Sequence, residues 1–398
     1  MPRRPFHGSD IDLGPAEIAL PLPPVAGQAV AALATRPCGQ PPPGGLPELR
    51  ELLAARLAES QRATGPDEVA VVAGACAAVS ALVLCQSSPG DAVLLPDPGF
   101  PAYHQMTRVL DRVPVRYPVP VRPGDHRWLD VAPGDLRRAA VIVWNSPHNA
   151  TGRVARASEC ELVAEFARRH RLFLVSDEVC HDLTWSVPHA SPLDWADHGR
   201  AAGVWSASKA LRMPGYRIGW LSASAAVVTA ATEAAWSLTM SAPMPGQIGC
   251  AAVLADYPAV LAQSRAHVRR NIEAIRQALP GALPAGDPEG GLCVWLDVAG
   301  TPAAPASLAA RLQEDHGIRV WPGERFGPRG RGFIRVNAGA AHADIDGALP
   351  ALRALLGLPG ATLEQGRRTR SPGTMGHQSP RRAGPAPPTG GRRMAEGR

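Results

Sequence analysis

Apolar runs that stop abruptly at a polar residue constrain this chain more than any other feature. Residues 139–144, 172–176 and 202–205 are nearly continuous apolar stretches, and they give way to Asn145, to Asp177-Glu178 and to Ser206. A strand buried on one face alternates apolar with polar, whereas a run apolar throughout suits a strand covered from both sides. Helix-patterned stretches at 46–59, 76–85 and 158–170 alternate with these runs and with shorter β-rich ones at 68–73 and 92–95. That alternation predicts an α/β fold in which a mostly parallel sheet, covered by helices, forms a large domain. In such a sheet ligands lie beyond the carboxyl ends of the strands, so the polar residues ending the runs are the first site candidates.

The pattern changes near residue 282. Strand-like runs at 290–297, 318–323 and 332–336, with helical stretches between them, predict a smaller α+β domain. A proline-rich lead-in and a helix near 25–34 complete it from the other end of the chain. The expected division is an N-terminal segment, 1–45, a large domain, 46–280, a C-terminal small domain, 281–358, and a tail, 359–398. A chain of 398 residues exceeds the usual size of one core, and a 45% hydrophobic content can fill two. The tail holds eight arginines against Glu364 and Glu396, and that +6 equals the net charge of the whole chain. Rich in Gly, Pro and Ser and without apolar period, the tail is expected to be disordered. The body is then near neutral, and no nucleic-acid partner is expected.

No apolar run approaches the roughly 20 residues of a membrane span. Arg3 and Arg4 are not followed by the apolar stretch of a secretory leader, so a cytoplasmic location away from membranes is expected. The seven cysteines are scattered, with no Cys-x-x-Cys pair, and read as reduced, mostly buried thiols with no metal site.

Among 41 Lys and Arg residues, Lys209 is the one lysine. Arginine stays protonated, whereas lysine can lose its proton and attack a carbonyl carbon. Lys209 sits in Ser206-Ala207-Ser208-Lys209, directly after one of the apolar runs, and Gly215-Tyr216-Arg217-Ile218-Gly219-Trp220 follows it. Three further pieces accompany it: Asp177 at a strand end, the loop Asn145-Ser146-Pro147-His148-Asn149-Ala150-Thr151-Gly152, and the aromatic loop carrying Phe100 and Tyr103. The run into Gly74-Ala75-Cys76 is a strand, small-residue turn and helix start of the kind that offers backbone N–H groups to a phosphate.

Together these residues resemble the class I and II aminotransferases, aspartate-aminotransferase-like pyridoxal-phosphate enzymes of fold type I, over about residues 11–356. The resemblance implies pyridoxal 5'-phosphate as cofactor, an α-amino acid and a 2-oxo acid as substrates, and a homodimer. It implies that Lys209 forms the Schiff base and moves the Cα proton. Asp177 would keep the pyridine nitrogen protonated, Asn149 would donate to the phenolic oxygen, and Phe100 would stack on the ring. Ser206, Arg217 and the backbone of Gly74, Ala75 and Cys76 would hold the phosphate. Arg335 would grip the substrate α-carboxylate, with Asn149 and Ala16 on the substrate side. His148 and His181 read as partly solvated loop histidines.

The chain departs from the family pattern at four places. Cys180 stands where a tyrosine usually reaches the phenolic oxygen, and a thiol is a weak donor. Gln40 replaces a tyrosine that reaches the neighbouring subunit's phosphate. Ala16 replaces a glycine, and Ala150 a proline. Aminotransferase is the leading reading. A carbon–sulfur β-lyase is the alternative, because Asp177-Glu178-Val179-Cys180-His181-Asp182 faintly resembles a segment of such enzymes. A non-catalytic binding protein of the same fold is disfavoured by the intact set of Lys209, Asp177, Arg217, Asn149 and Arg335.

Overall fold

A two-residue strand, β1 (Ile11–Asp12), comes first in the computed structural model, which describes residues 10–358 apart from 36, 61–63, 123–127, 284–285 and 287. The tail read as disordered lies outside the described residues. The central sheet contains β2 (Val69–Val72), β3 (Ala92–Asp97), β4 (Val113–Pro118), β5 (Ala139–Asn145), β6 (Phe173–Asp177), β7 (Ala201–Ser206) and β8 (Gly219–Ser222). Their order is β2-β8-β7-β6-β5-β3-β4. β8 runs antiparallel to both of its neighbours, and the other pairs are parallel, as the unbroken apolar runs require.

Alternate residues of each strand feed two different cores. Val71, Leu94, Ile142, Trp144, Leu174 and Trp205 pack on one face with Leu49, Leu53 and Leu57 of the helix Pro47–Ser60. Val72, Val93, Leu95, Val141, Val143, Val175 and Val204 pack on the other with the helices Ala75–Gln86 and Ala225–Thr239. Strand side chains point alternately up and down, so an apolar residue at every position is what two covered faces demand. Each fully buried Val, Leu or Ile contributes about 1.5–3 kcal/mol relative to exposure.

The last residues of the strands carry the polar side chains. Observed β5, β6 and β7 extend past the apolar runs to take in Asn145, Asp177 and Ser206. Asn145 pairs with Asp177 across β5 and β6, and Asp177 with Val204 across β6 and β7, which sets the polar ends side by side.

The C-terminal part builds β9 (Cys293–Asp297), β10 (Ile318–Arg319), β11 (Trp321–Pro322) and β12 (Phe333–Asn337). β11, β12 and β9 form an antiparallel sheet, while β10 pairs in parallel with β1. A third core collects Leu13, Ile18, Val268, Ile272, Leu292, Val294, Leu296, Ile334 and Val336. The helix Tyr257–Ala278 lends Val260 to the first core and Val268, Ile272 and Ile275 to the third.

Candidate active site

The floor of the site is Asp177. Its Oδ2 accepts a hydrogen bond from Tyr103 Oη, and its Oδ1 accepts from Val179 N–H at 3.2 Å. Burial pushes this carboxyl up to about 6, against the opposing pull of Tyr103, Val179 and the Lys209 charge. The same burial, with the charge of Asp177 second, raises Tyr103 well above the usual phenol range and keeps it a donor. Phe100 lies half-buried one turn before Tyr103, and the two rings meet edge to face at 5.5 Å. Tyr103 therefore belongs to the site, although the sequence marked it only as a second ring of the aromatic loop.

Lys209 follows the end of β7, half-buried, and its Nζ donates to Ala16 O at 2.6 Å. Cys180 is buried nearby. Burial pushes its thiol up to about 12, Lys209 pulls it down, and Cys293 and Asp177 push it up further. It stays an S–H group at neutral pH.

Beside the lysine, Ser206 Oγ accepts from Ser208 N–H at 3.0 Å and lies 2.9 Å from Ser208 Oγ. Arg217 adopts left-handed backbone geometry, φ 55°, and its Nη1 donates to Pro214 O at 2.9 Å. That turn lays the guanidinium against Gly74, where φ is +96° and a Cβ would collide with Arg217 Nη2. Gly219 serves the same approach, because a Cβ there would stand 2.5 Å from Ala75 N. The helix Ala75–Gln86 starts at this point; Ala77 and Ala78 N–H donate to Gly74 O at 3.0 and 3.2 Å, so of the first turn the N–H groups of Ala75 and Cys76 are left for a ligand. Cys76 in that turn is exposed.

Arg335 lies on β12 and is fully buried. Its Nη1 donates to Asn149 Oδ1 at 2.8 Å, its Nη2 donates to Gly14 O, and its Nε is buried without a partner. The rings of Trp321 and Phe326 lie 4.3 and 4.8 Å from its guanidinium carbon. Since Arg335 is a donor only, Asn149 must turn its oxygen to it, which leaves Nδ2 for another acceptor. The N-terminal segment thus meets both cations, at Gly14 O and at Ala16 O.

His148 departs from expectation. It is buried, with its ring nitrogens 2.9 Å from Thr151 Oγ1 and 3.0 Å from Pro98 O, and burial lowers it to about 4. It is a neutral bracket between two loops. His181 is partly exposed and lies 3.2 Å from Asp182. Gln40 is exposed. All seven cysteines are free, four of them buried. Among the described residues no cluster of His, Cys, Asp and Glu could hold a metal ion, and no helix is long and apolar enough to cross a membrane.

These residues fit pyridoxal 5'-phosphate. A buried carboxyl held above its ordinary range is relieved by a cationic ring nitrogen, and the free amide nitrogen of Asn149 suits a phenolic oxygen. The Gly74 turn, where a Cβ would push the Arg217 guanidinium aside, with Arg217 and Ser206 suits a phosphate. The unpaired Nε of buried Arg335 marks a cation with donor capacity left for a carboxylate.

The family model for aminotransferase class I and II matches residues 10–352. The arginine–pyruvate transaminase of Pseudomonas aeruginosa is 33% identical over 302 residues, 72% of this chain and 75% of its own length. The valine–pyruvate aminotransferase of Mycobacterium tuberculosis is 28% identical over 362 residues, 87% of this chain and 91% of its own. Among solved structures, aspartate aminotransferase from Thermus thermophilus with maleate superposes with a TM-score of 0.77 at 26% identity, covering 87% of this chain and 91% of that one.

Proposed function

We propose, from the premise that this chain belongs to the class I and II aminotransferase family and is a pyridoxal-phosphate-dependent aminotransferase, a division of labour among its residues. Bound cofactor supplies an electrophilic aldehyde carbon and a ring that takes up electrons when a bond at the amino acid's Cα breaks. Lys209 is the amine that holds the cofactor covalently and carries the proton to and from Cα. Asp177 keeps the ring nitrogen protonated, with Tyr103 stabilising its carboxylate. Asn149 donates to the phenolic oxygen, assisted weakly by the Cys180 thiol, and Phe100 covers the ring. Gly74, Ala75, Cys76, Ser206 and Arg217 hold the phosphate. Arg335 binds the substrate carboxylate in a two-pronged grip and aligns Cα over Lys209, with Ala16 lining the substrate side.

The observation that carries this reading is the contact between Arg335 Nη1 and Asn149 Oδ1, which joins the carboxylate grip to the ring contact. The carbon–sulfur lyase alternative has no observation in its favour. Asp182, which together with the absent tyrosine at Cys180 suggested it, is engaged by Arg56 at 2.7 Å. We also propose a cytoplasmic homodimer. Exposed Arg217 and Cys76 leave the phosphate side open for a second subunit. The expected assignment of all of 1–45 to the small lobe does not hold: Leu13 and Ile18 join the core of the C-terminal strands, whereas Ala26 of the helix Pro24–Ala31 packs with Leu49 and Leu53, and Val71 N–H donates to Gly44 O at 2.8 Å, on the large lobe. Two relatives are named for pyruvate, so pyruvate is the first amino acceptor to try.

The test is an absorbance spectrum of the cofactor-loaded protein, followed by titration with single amino acids. The visible band should fade with one amino acid and return on adding a 2-oxo acid. A band that persists while 2-oxo acid and ammonia accumulate would establish elimination instead. Absence of any band with added cofactor would remove Lys209 from its assigned role.

A further inference from the structure

We infer that Asn145 is a positioning residue which fixes the spacing between Asp177 and Asn149 and so holds the two ring contacts in register. The inference rests on the proposed roles of those two residues.

Asn145 is buried at the last position of β5, opposite Asp177 in the ladder. Its Nδ2 donates to Asp177 O at 3.0 Å, and its Oδ1 accepts from Asn149 N–H at 2.8 Å. Beyond it the chain leaves the sheet, with Ser146 N–H reaching Asp177 O at 3.3 Å. Residues 147–149 then have no strand partner to set their distance from β6. The amide of Asn145 is the side-chain link that ties Asn149 N–H to Asp177 O across that gap. A carboxylate at 145 could still accept from Asn149 but would have no donor for Asp177 O, and an aliphatic side chain could do neither. From Asn149 the line continues through Oδ1 to Arg335 Nη1 at 2.8 Å. A substrate carboxylate that draws on Arg335 therefore acts on an amide whose backbone is tied to the acid at the far end of the ring.

The experiment compares Asn145→Ala, Asn149→Ala and the double variant as cofactor-loaded proteins without substrate. The readouts are the pH midpoint of the bound cofactor's absorbance change, the cofactor dissociation constant and the melting temperature. A donor at the phenolic oxygen favours its anionic form, so losing or misplacing it raises the midpoint. One misplaced hydrogen bond corresponds to about half to one pH unit. Asn145→Ala should raise the midpoint in the same direction as Asn149→Ala, weaken cofactor binding several-fold, and add nothing in the double variant. A lowered melting temperature with an unmoved midpoint would make Asn145 merely structural and overturn the inference. Additive shifts would overturn it too, since Asn145 would not then act through Asn149. An unmoved midpoint in Asn149→Ala overturns the reading of Asn149 and this inference with it. If Asn145→Ala fails to fold, Asn145→Ser retains a small acceptor and carries the same measurement.

Discussion

At the scale of single residues, burial and hydrogen bonding pull Asp177 in opposite directions. Its carboxyl sits near 6 in the folded chain against an ordinary 3.8, with burial the largest cause. Below about pH 4 both folded and unfolded forms hold the proton, and no penalty arises. Above about pH 6 both have lost it, and the folded form carries the full penalty, on the order of 3 kcal/mol. The cofactor-free protein should therefore lose stability as pH rises from about 4 to 6. Asp177→Asn should recover most of it near pH 7.5 in urea denaturation of cofactor-free protein, while abolishing tight cofactor binding. Tyr103→Phe removes a donor that favours the ionised acid, so Asp177 should shift upward. The acidic limb of the activity profile should then move to higher pH by about a unit. Lys209→Arg retains a charge but cannot lose its proton, and kcat should fall by at least about a thousandfold, measured as 2-oxo acid formed.

At the scale of elements, the phosphate cradle depends on how closely a turn and a helix start approach each other. Gly74 is left-handed and faces Arg217 across a gap with no room for a Cβ. Gly74→Ala should displace that guanidinium and weaken cofactor binding at least about tenfold by titration of cofactor-free protein, since one charge-assisted hydrogen bond contributes about 1.5–3 kcal/mol. Elements of this kind were legible in sequence because their cause is local: β5, β6 and β7 announce themselves by unbroken apolar composition, and the Gly74 turn by its small residues. β4 was not, because its Val113–Pro118 run contains two prolines and lies at the sheet edge, where proline is tolerated and the apolar pattern is weak. β8 was hidden inside the motif around Arg217, where its glycine reads as a turn. Asn145 was marked only by its place at a strand end, and Tyr103 only as a second ring; the partners of both escaped the sequence for another reason. Each acts through a hydrogen bond to a neighbouring strand or loop, and spacing along one chain carries no trace of such a partner.

At the scale of the whole molecule, a half-buried ionic bracket ties together three distant stretches. Arg56 on the helix Pro47–Ser60 pairs with Asp182 at 2.7 Å, and its guanidinium stacks on Tyr257, while Arg265 Nε donates to Asp182 O at 2.6 Å. Breaking one partner of such a pair strands the other charge. With both side chains partly solvated, Asp182→Asn should cost about 1–2 kcal/mol in urea denaturation and leave kcat unchanged at saturating cofactor.

The pairing of β1 with β10 joins residues about three hundred positions apart, Ile11 with Ile318 and Asp12 with Arg319. A ribosome releases the downstream strand only after the whole central sheet has emerged, so the upstream one must wait without its partner. Gly14 and Ala16, which meet Arg335 and Lys209, wait with it. A nascent chain can thus assemble the floor around β5, β6 and β7 long before the roof exists. The grip of Arg335 on a carboxylate cannot be complete until both ends of the described chain have met.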